Sequence, residues 1–176
     1  MGFLLTTLKP TLSKANVSEL TKIAAAEGFS IKELIDLTFH KDEKIGFRAS
    51  WILENVYIKH LDKFFPSATY FLSKFQQQDN LSSRRHFSKI LALMTTKKAP
   101  QYIKEIIKNH ETDGLVEAVF SWVIDEKVPV AVKSHCLNIL ANLSSKHHWI
   151  KNELIETMDF LIDKESHGHG GFEVAR

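Results

Sequence analysis

One apolar pattern occurs three times in this chain, and it constrains the fold more than any other feature. The pairs Ile52-Leu53, Ile90-Leu91 and Ile139-Leu140 each lie in a stretch whose apolar residues recur every three or four positions. That periodicity is typical of an amphipathic helix. A short polar link and a second apolar stretch follow each one, at 66–75, 100–107 and 149–162. The sequence therefore predicts tandem helix pairs.

The repeat is irregular. The three pairs are spaced 38 and then 49 residues apart, around the roughly 40 to 47 residues of known helical repeat units. The longer interval contains an extra apolar segment after Asp113-Gly114, and this segment predicts an additional helix over 115–123. Few breakers interrupt these stretches, since the chain has only 7 Gly and 4 Pro.

Local signals predict where some helices begin. Asn16 followed by Glu19, and Ser30 followed by Glu33, have capping-box spacing, in which each side chain bonds the other residue's backbone amide. Pro66 is predicted as a first helical residue, where its missing amide hydrogen costs nothing.

The stretch 40–56, HKDEKIGFRASWILENV, resembles the HEAT repeat, with its acidic turn, basic residue, small residues and Leu. Residues 125–143 resemble it more loosely, with Pro129 near the helix start and Lys133 in the basic column. The resemblance implies an all-α fold, an α-α superhelix (a HEAT/armadillo-like solenoid) of irregular tandem helix pairs. The resemblance also implies that Arg48 is the basic residue of the repeat, so its presence alone does not indicate catalysis.

Most of the chain, centred on 33–53, is also similar to short uncharacterised proteins of Bacteroidota that are sometimes labelled adenylosuccinate lyase. Lyases of that superfamily are far longer and have a Ser-rich signature loop. The pair Ser82-Ser83 lacks the residues that flank that loop, so we expect no lyase activity.

Length and composition favour one helical domain over 1–166, followed by a Gly/His tail or the start of a further helix over 167–176. The sequence shows no leader or membrane segment, so we expect a cytoplasmic protein. Cys136 lies in an apolar run and is expected to be buried and inert. Trp51, Trp122 and Trp149 are predicted in the core or between repeats, with Trp149 partly exposed, and Tyr102 is predicted in the core.

The basic segment 84–108 is the best candidate for binding a partner. Its seven cations are opposed by a single acid, Glu105, and pairs spaced by four share a helix face. They could neutralise phosphates or keep the surface solvated. The seven are Arg84, Arg85, Lys89, Lys97, Lys98, Lys104 and Lys108.

Nine histidines raise the question of a metal site. His167 and His169, separated by one glycine, are the sharpest local candidates, and a polar tail is the simpler interpretation of them. His86 and His135 occupy the same repeat column as Arg48. These three could form a cationic or pH-sensitive strip, or each could pack locally.

The sequence contains no phosphate-binding glycine loop, no Cys pair and no nucleophile–base spacing. We therefore expect no cofactor and no catalytic residue, and the sequence favours a non-enzyme over an enzyme. The first hypothesis is a binding or scaffold module for a protein partner. The alternative is a nucleic-acid-binding protein that uses 84–108, or a relative of the HEAT-like DNA glycosylases, whose site residues we cannot map onto this chain.

Overall fold

The computed structural model describes residues 2–10, 12–26 and 30–168, and these form helices without a β-strand. The α-helices are α1 (Gly2–Leu8), α2 (Lys14–Ala25), α3 (Ile31–Leu37), α4 (Glu43–Lys59), α5 (Leu61–Phe64), α6 (Ala68–Phe75), α7 (Leu81–Thr95), α8 (Gln101–Asn109), α9 (Asp113–Ile124), α10 (Val130–Leu143) and α11 (Trp149–Gly168). The all-α fold class is therefore confirmed. Helix α11 extends past the expected boundary at 166, and residues 169–176 lie outside the described part.

Side-chain caps start two of the long helices, α4 and α7. Asp42 Oδ1 accepts from the amide of Lys44 at the start of α4, and Asn80 Oδ1 accepts from the amides of Ser82 and Ser83 at the start of α7. Each bond satisfies an amide that has no partner within the helix. The capped ends fix where α4 and α7 begin.

The predicted box at Asn16 and Glu19 is wrong by three residues. Ser13 caps α2, because Ser13 Oγ accepts from the Asn16 amide and Asn16 Oδ1 accepts from the Ser13 amide. Asn16 is thus the inner partner of the box. Ser30 does precede α3, as predicted, but its side chain makes no capping bond.

Pro66 does not begin an α-helix. It lies in a 3-10 turn, Phe65–Ser67, between α5 and α6. The second helix of this pair is therefore broken in two.

Helices α4, α7 and α10 carry the repeated pattern and pack side by side, with α7 in the middle. We call these three helices the ladder. The aligned pairs Ile52-Leu53, Ile90-Leu91 and Ile139-Leu140 are fully buried. Full burial of one such side chain contributes about 1.5–3 kcal/mol. The repeated sequence pattern is therefore the core of the fold.

Aromatic rings link the second helices to the ladder. Phe71 and Phe75 of α6 pack against Phe87 of α7, and Phe75 stacks on Trp122 of α9 with ring centroids 4.8 Å apart. Offset aromatic pairs add about 0.5–1.5 kcal/mol beyond their burial. The extra helix predicted after Asp113-Gly114 is thus present as α9 and belongs to the core.

The expectations for large side chains are confirmed for Cys136 and Trp122, are met in part for Trp51 and Trp149, and are wrong for Tyr102. Cys136 and Trp122 are buried, Trp51 is partly buried and Trp149 is exposed. Tyr102 was predicted in the core and is exposed, because Ile103 and Ile107 form the buried face of α8. Its ring packs on the edge of Phe65 instead.

Candidate functional site

An acid–base network joins α4 to α7. Glu54 and His86 are both buried, and His86 Nδ1 lies 2.5 Å from Glu54 Oε2. Lys89 Nζ donates to Glu54 Oε1 at 2.6 Å. Because a carboxylate only accepts hydrogen bonds, His86 Nδ1 is the donor when Glu54 is ionised. Glu54 therefore holds two side chains of the neighbouring helix in place.

Two opposing effects set the charge of Glu54. Burial acts to raise its pKa, because burial disfavours the charged form. The hydrogen bonds from His86 and Lys89 and the attraction of those groups outweigh burial, so the pKa of Glu54 lies below its ordinary value of 4.5. Glu54 is therefore ionised at neutral pH.

His135 of α10 lies within electrostatic reach of this network. Burial lowers the pKa of His135, and the charge of Lys89 lowers it further. The negative charge of Glu54 raises the pKa of His135, and the positive charge of Arg85 lowers it. The balance favours a neutral imidazole at neutral pH. The third ladder helix thus contributes a polar, uncharged group beside the cations of α7.

Two aromatic rings of α4 border the network. The Phe47 ring centroid lies 5.3 Å from the His86 imidazole and 6.1 Å from the Trp51 ring. Both aromatic side chains are partly exposed, and Arg85 on α7 is exposed. We call the surface formed by Phe47, Trp51, Arg85, Lys89 and His135 the ladder face. It combines aromatic rings on α4 with two cations on α7, the two helices that Glu54 ties together.

The stacked helices can be compared with known families. The sequence model of the HEAT repeat domain matches residues 4–169. The chain belongs to the HEAT repeat family. Comparisons with the curated proteins and with the solved structures find no match.

In this HEAT repeat protein, the repeat column does not form one continuous strip. Arg48 Nη1 donates to the carbonyl of Leu8 at 2.8 Å and to that of Lys9 at 2.6 Å. Arg48 thereby holds the end of α1 on α4. Only His86 and His135 share the surroundings of Glu54.

The basic segment divides between inward and outward side chains. Arg84 Nε donates to the Gln78 carbonyl at 2.9 Å, its guanidinium lies 3.6 Å from Asp125, and it covers the Trp122 ring at 4.9 Å. Arg84 therefore has a structural position. Lys89 bonds Glu54, and Lys104 is partly buried. The exposed members are Arg85, Lys97, Lys98 and Lys108.

Lys104 and Lys108 line a cleft of about 290 Å³ between the ends of α7, α8 and α10. Lys146 closes one side of it, and its Nζ donates to the carbonyls of Ile107, Lys108 and His110 at 3.2, 3.3 and 2.7 Å. These are the last carbonyls of α8, which have no partner within the helix. Lys146 thus caps α8.

Outside the network of Glu54, His147 and Cys136 have structural surroundings. His147 bonds Thr112 through Nε2 and Asp113 through Nδ1, which fastens the start of α9 to the segment before α11. Burial raises the pKa of the Cys136 thiol to about 12, with Arg84 opposing it. Over 2–10, 12–26 and 30–168 there is no group of three His, Cys, Asp or Glu that could hold a metal. The His167 side chain and His169 lie outside the described structure.

None of the described helices combines the length and the apolar character needed to span a bilayer.

The sequence analysis missed Glu54. Its only signal is an acid placed between the apolar residues Leu53 and Val56 of a helix that is buried on several sides. An acid at such a position is buried only when it is paired. That reasoning predicts a partner but does not say which residue it is.

Proposed function

We propose that this chain is a non-catalytic HEAT repeat module that binds a partner protein through the ladder face. The observation that carries the proposal is the juxtaposition of partly exposed Phe47 and Trp51 with Arg85 and Lys89. The few residues that carry most of the binding energy at protein interfaces are enriched in tryptophan, tyrosine and arginine. HEAT repeats often serve in protein interaction, which supports the same reading.

The network under the ladder face favours binding with little loss of entropy. Glu54 holds Lys89 and His86, and the rings of Phe47 and Trp51 lie close together. Side chains that are ordered before binding lose less freedom in the complex. The exposed cation Arg85 favours a partner segment that carries acidic side chains beside an apolar one.

A nucleic acid remains the second candidate because Arg85, Lys97, Lys98 and Lys108 are exposed. Two observations weigh against it. Arg84 is engaged within the fold. Lys97 and Lys98 follow the end of α7, where positive charge compensates the negative end of the helix dipole.

The test is affinity capture from a lysate of the source cells with the wild-type chain and with Arg85→Glu, each with and without nuclease treatment of the lysate. Lys127→Glu is the matched control, because Lys127 is also exposed but lies in the link between α9 and α10. We expect a partner protein that stays bound at high salt, is lost with Arg85→Glu and is kept with Lys127→Glu. Nucleic acid that leaves as salt rises would favour the second candidate. A protein captured equally by both variants would contradict the role of the ladder face.

A further inference from the structure

The last described helix has an apolar stripe that the described residues leave about half exposed. Ile155, Met158 and Ile162 of α11 are 51%, 44% and 61% exposed. Their spacing of three and four residues places them on one side of the helix. We call these three residues the end stripe. Scattered exposed apolar residues need no explanation, but a row of three on one helix side does.

The end stripe lies beside the contact that holds α11 to the fold. Ile150 and Thr157 are buried and Leu154 packs against the core. The end stripe lies to one side of this seam, because Ile155 follows Leu154, Met158 follows Thr157, and successive residues are about 100° apart around the helix.

At its first turn, α11 contacts α9 on the other side of this seam. Trp149 precedes Ile150, and its ring stacks on Phe120 of α9 at a centroid distance of 5.9 Å. The end stripe is thus on the side away from α9. In a helical solenoid this is where the next helix of the stack would pack.

Acidic residues border the end stripe on its outer side. Glu156, Asp159 and Asp163 each follow one of its members by one position and so lie a further 100° or so around the helix. From 149 to 163 the chain carries the acids Glu153, Glu156, Asp159 and Asp163 against the single base Lys151. A helix packed on the end stripe would place its own flank next to these carboxylates.

We propose that the end stripe binds an amphipathic helix of a partner protein, with apolar residues on one side and basic residues on the adjoining edge. The inference rests on the proposed role as a protein-binding module, but it assigns a second surface. The acidic border selects the occupant, because a second copy of α11 would bring carboxylates against carboxylates. The apolar stripe supplies the buried contact, and the charges supply the specificity.

The experiment uses the full chain and a fluorescent 18-residue helical peptide of leucine and lysine, with its leucine–glutamate counterpart as the charge control. Fluorescence anisotropy should show binding of the lysine peptide and none of the glutamate peptide. We expect Ile155→Ser/Ile162→Ser to weaken the lysine peptide by about tenfold or more. The matched control, Ile58→Ser/Ile124→Ser, replaces isoleucines that are 49% and 52% exposed on α4 and α9. It should bind as the wild type does.

Three results would overturn the inference. Both double variants could bind the lysine peptide equally, the glutamate peptide could bind as well as the lysine peptide, or the wild type could self-associate through the end stripe without binding either peptide. Analytical ultracentrifugation identifies the third case, since Ile155→Ser/Ile162→Ser would then be monomeric. Arg85→Glu should leave peptide binding unchanged, so a failure here is distinguishable from a failure of the ladder-face proposal.

Discussion

Replacement of Glu54 by Gln tests the network between α4 and α7. Glutamine has almost the same shape but no charge, so the change removes the attraction to Lys89 and weakens the bond with His86 without creating a cavity. We expect the variant to fold and to be less stable than the wild type at neutral pH.

The structure sets the size of this effect. A hydrogen bond to a charged group contributes about 1.5–3 kcal/mol. The bond with His86 is buried and counts in full, whereas the Lys89 side chain is 39% exposed, and solvent screening reduces its share to about 0.5 kcal/mol. In the variant, the neutral amide of glutamine still accepts a hydrogen bond from His86, and this bond retains about 1 kcal/mol. The expected loss in the free energy of unfolding at pH 7 is therefore about 1–2.5 kcal/mol.

The lowered pKa of Glu54 also determines the direction in which stability changes with pH. The pKa of Glu54 is lowered in the folded chain, so ionised Glu54 stabilises the fold above its unfolded pKa, near 4.5, and this contribution is lost as the pH falls through the folded pKa. Glutamine does not titrate. The neighbouring groups His86, Lys89, His135 and Arg85 are present in both proteins. The stability difference between wild type and variant should shrink below pH 4.5.

Urea unfolding monitored by circular dichroism measures the difference, at pH 7 and at steps down to pH 3. Glu117→Gln is the control, because Glu117 is exposed on α9 and its replacement should change stability by less than about 0.5 kcal/mol. Equal stability of wild type and Glu54→Gln at pH 7 would refute the reasoning. So would a difference that grows as the pH falls.

Three further predictions concern single residues. Cys136, with a pKa raised to about 12 and a buried thiol, should not react with a thiol reagent at pH 8 in the native chain and should react fully in denaturant; rapid native labelling would contradict its burial. Gly46→Ala should lower the free energy of unfolding by about 2 kcal/mol in a urea titration, because the new Cβ would lie 2.8 Å from the Thr38 carbonyl oxygen. Gly114→Ala should lower it less, because its new Cβ meets only the flexible side chain of Gln76. The reverse order would refute the steric argument. Lys146→Met should lower stability by about 1 kcal/mol, since it removes three bonds to the end of α8, and an unchanged urea midpoint would show that those bonds contribute nothing.

Helix positions were largely predictable because their signals are local. The recurrence of apolar residues every three or four positions located α4, α7 and α10, and the interval before Asp125 predicted α9. The box at Ser13 was missed because Asn16 fits either of two capping roles. Tyr102 was misplaced because apolar character alone does not say which side of α8 faces the core.

The two candidate surfaces differ in how far the sequence reveals them. Arg85 and Lys89 stand out in the sequence as cations of the basic segment, but their relation to Phe47 and Trp51 depends on how α4 and α7 stack. The end stripe has the same periodicity as a buried stripe, so the sequence predicts it as core. Only the placement of α11 beside α10 and α9 shows that nothing in the described fold covers it.

By itself, the sequence determined that this protein is a stack of irregular helix pairs, because helical periodicity and repeat spacing are properties of neighbouring residues. The tertiary structure alone decided which side chains meet between helices. The pairing of Glu54 with His86, the hold of Arg48 on α1 and the cap that Lys146 places on α8 join residues far apart in the chain. Such contacts depend on the rotation and axial shift of one helix against the next, which the packing of the whole core fixes.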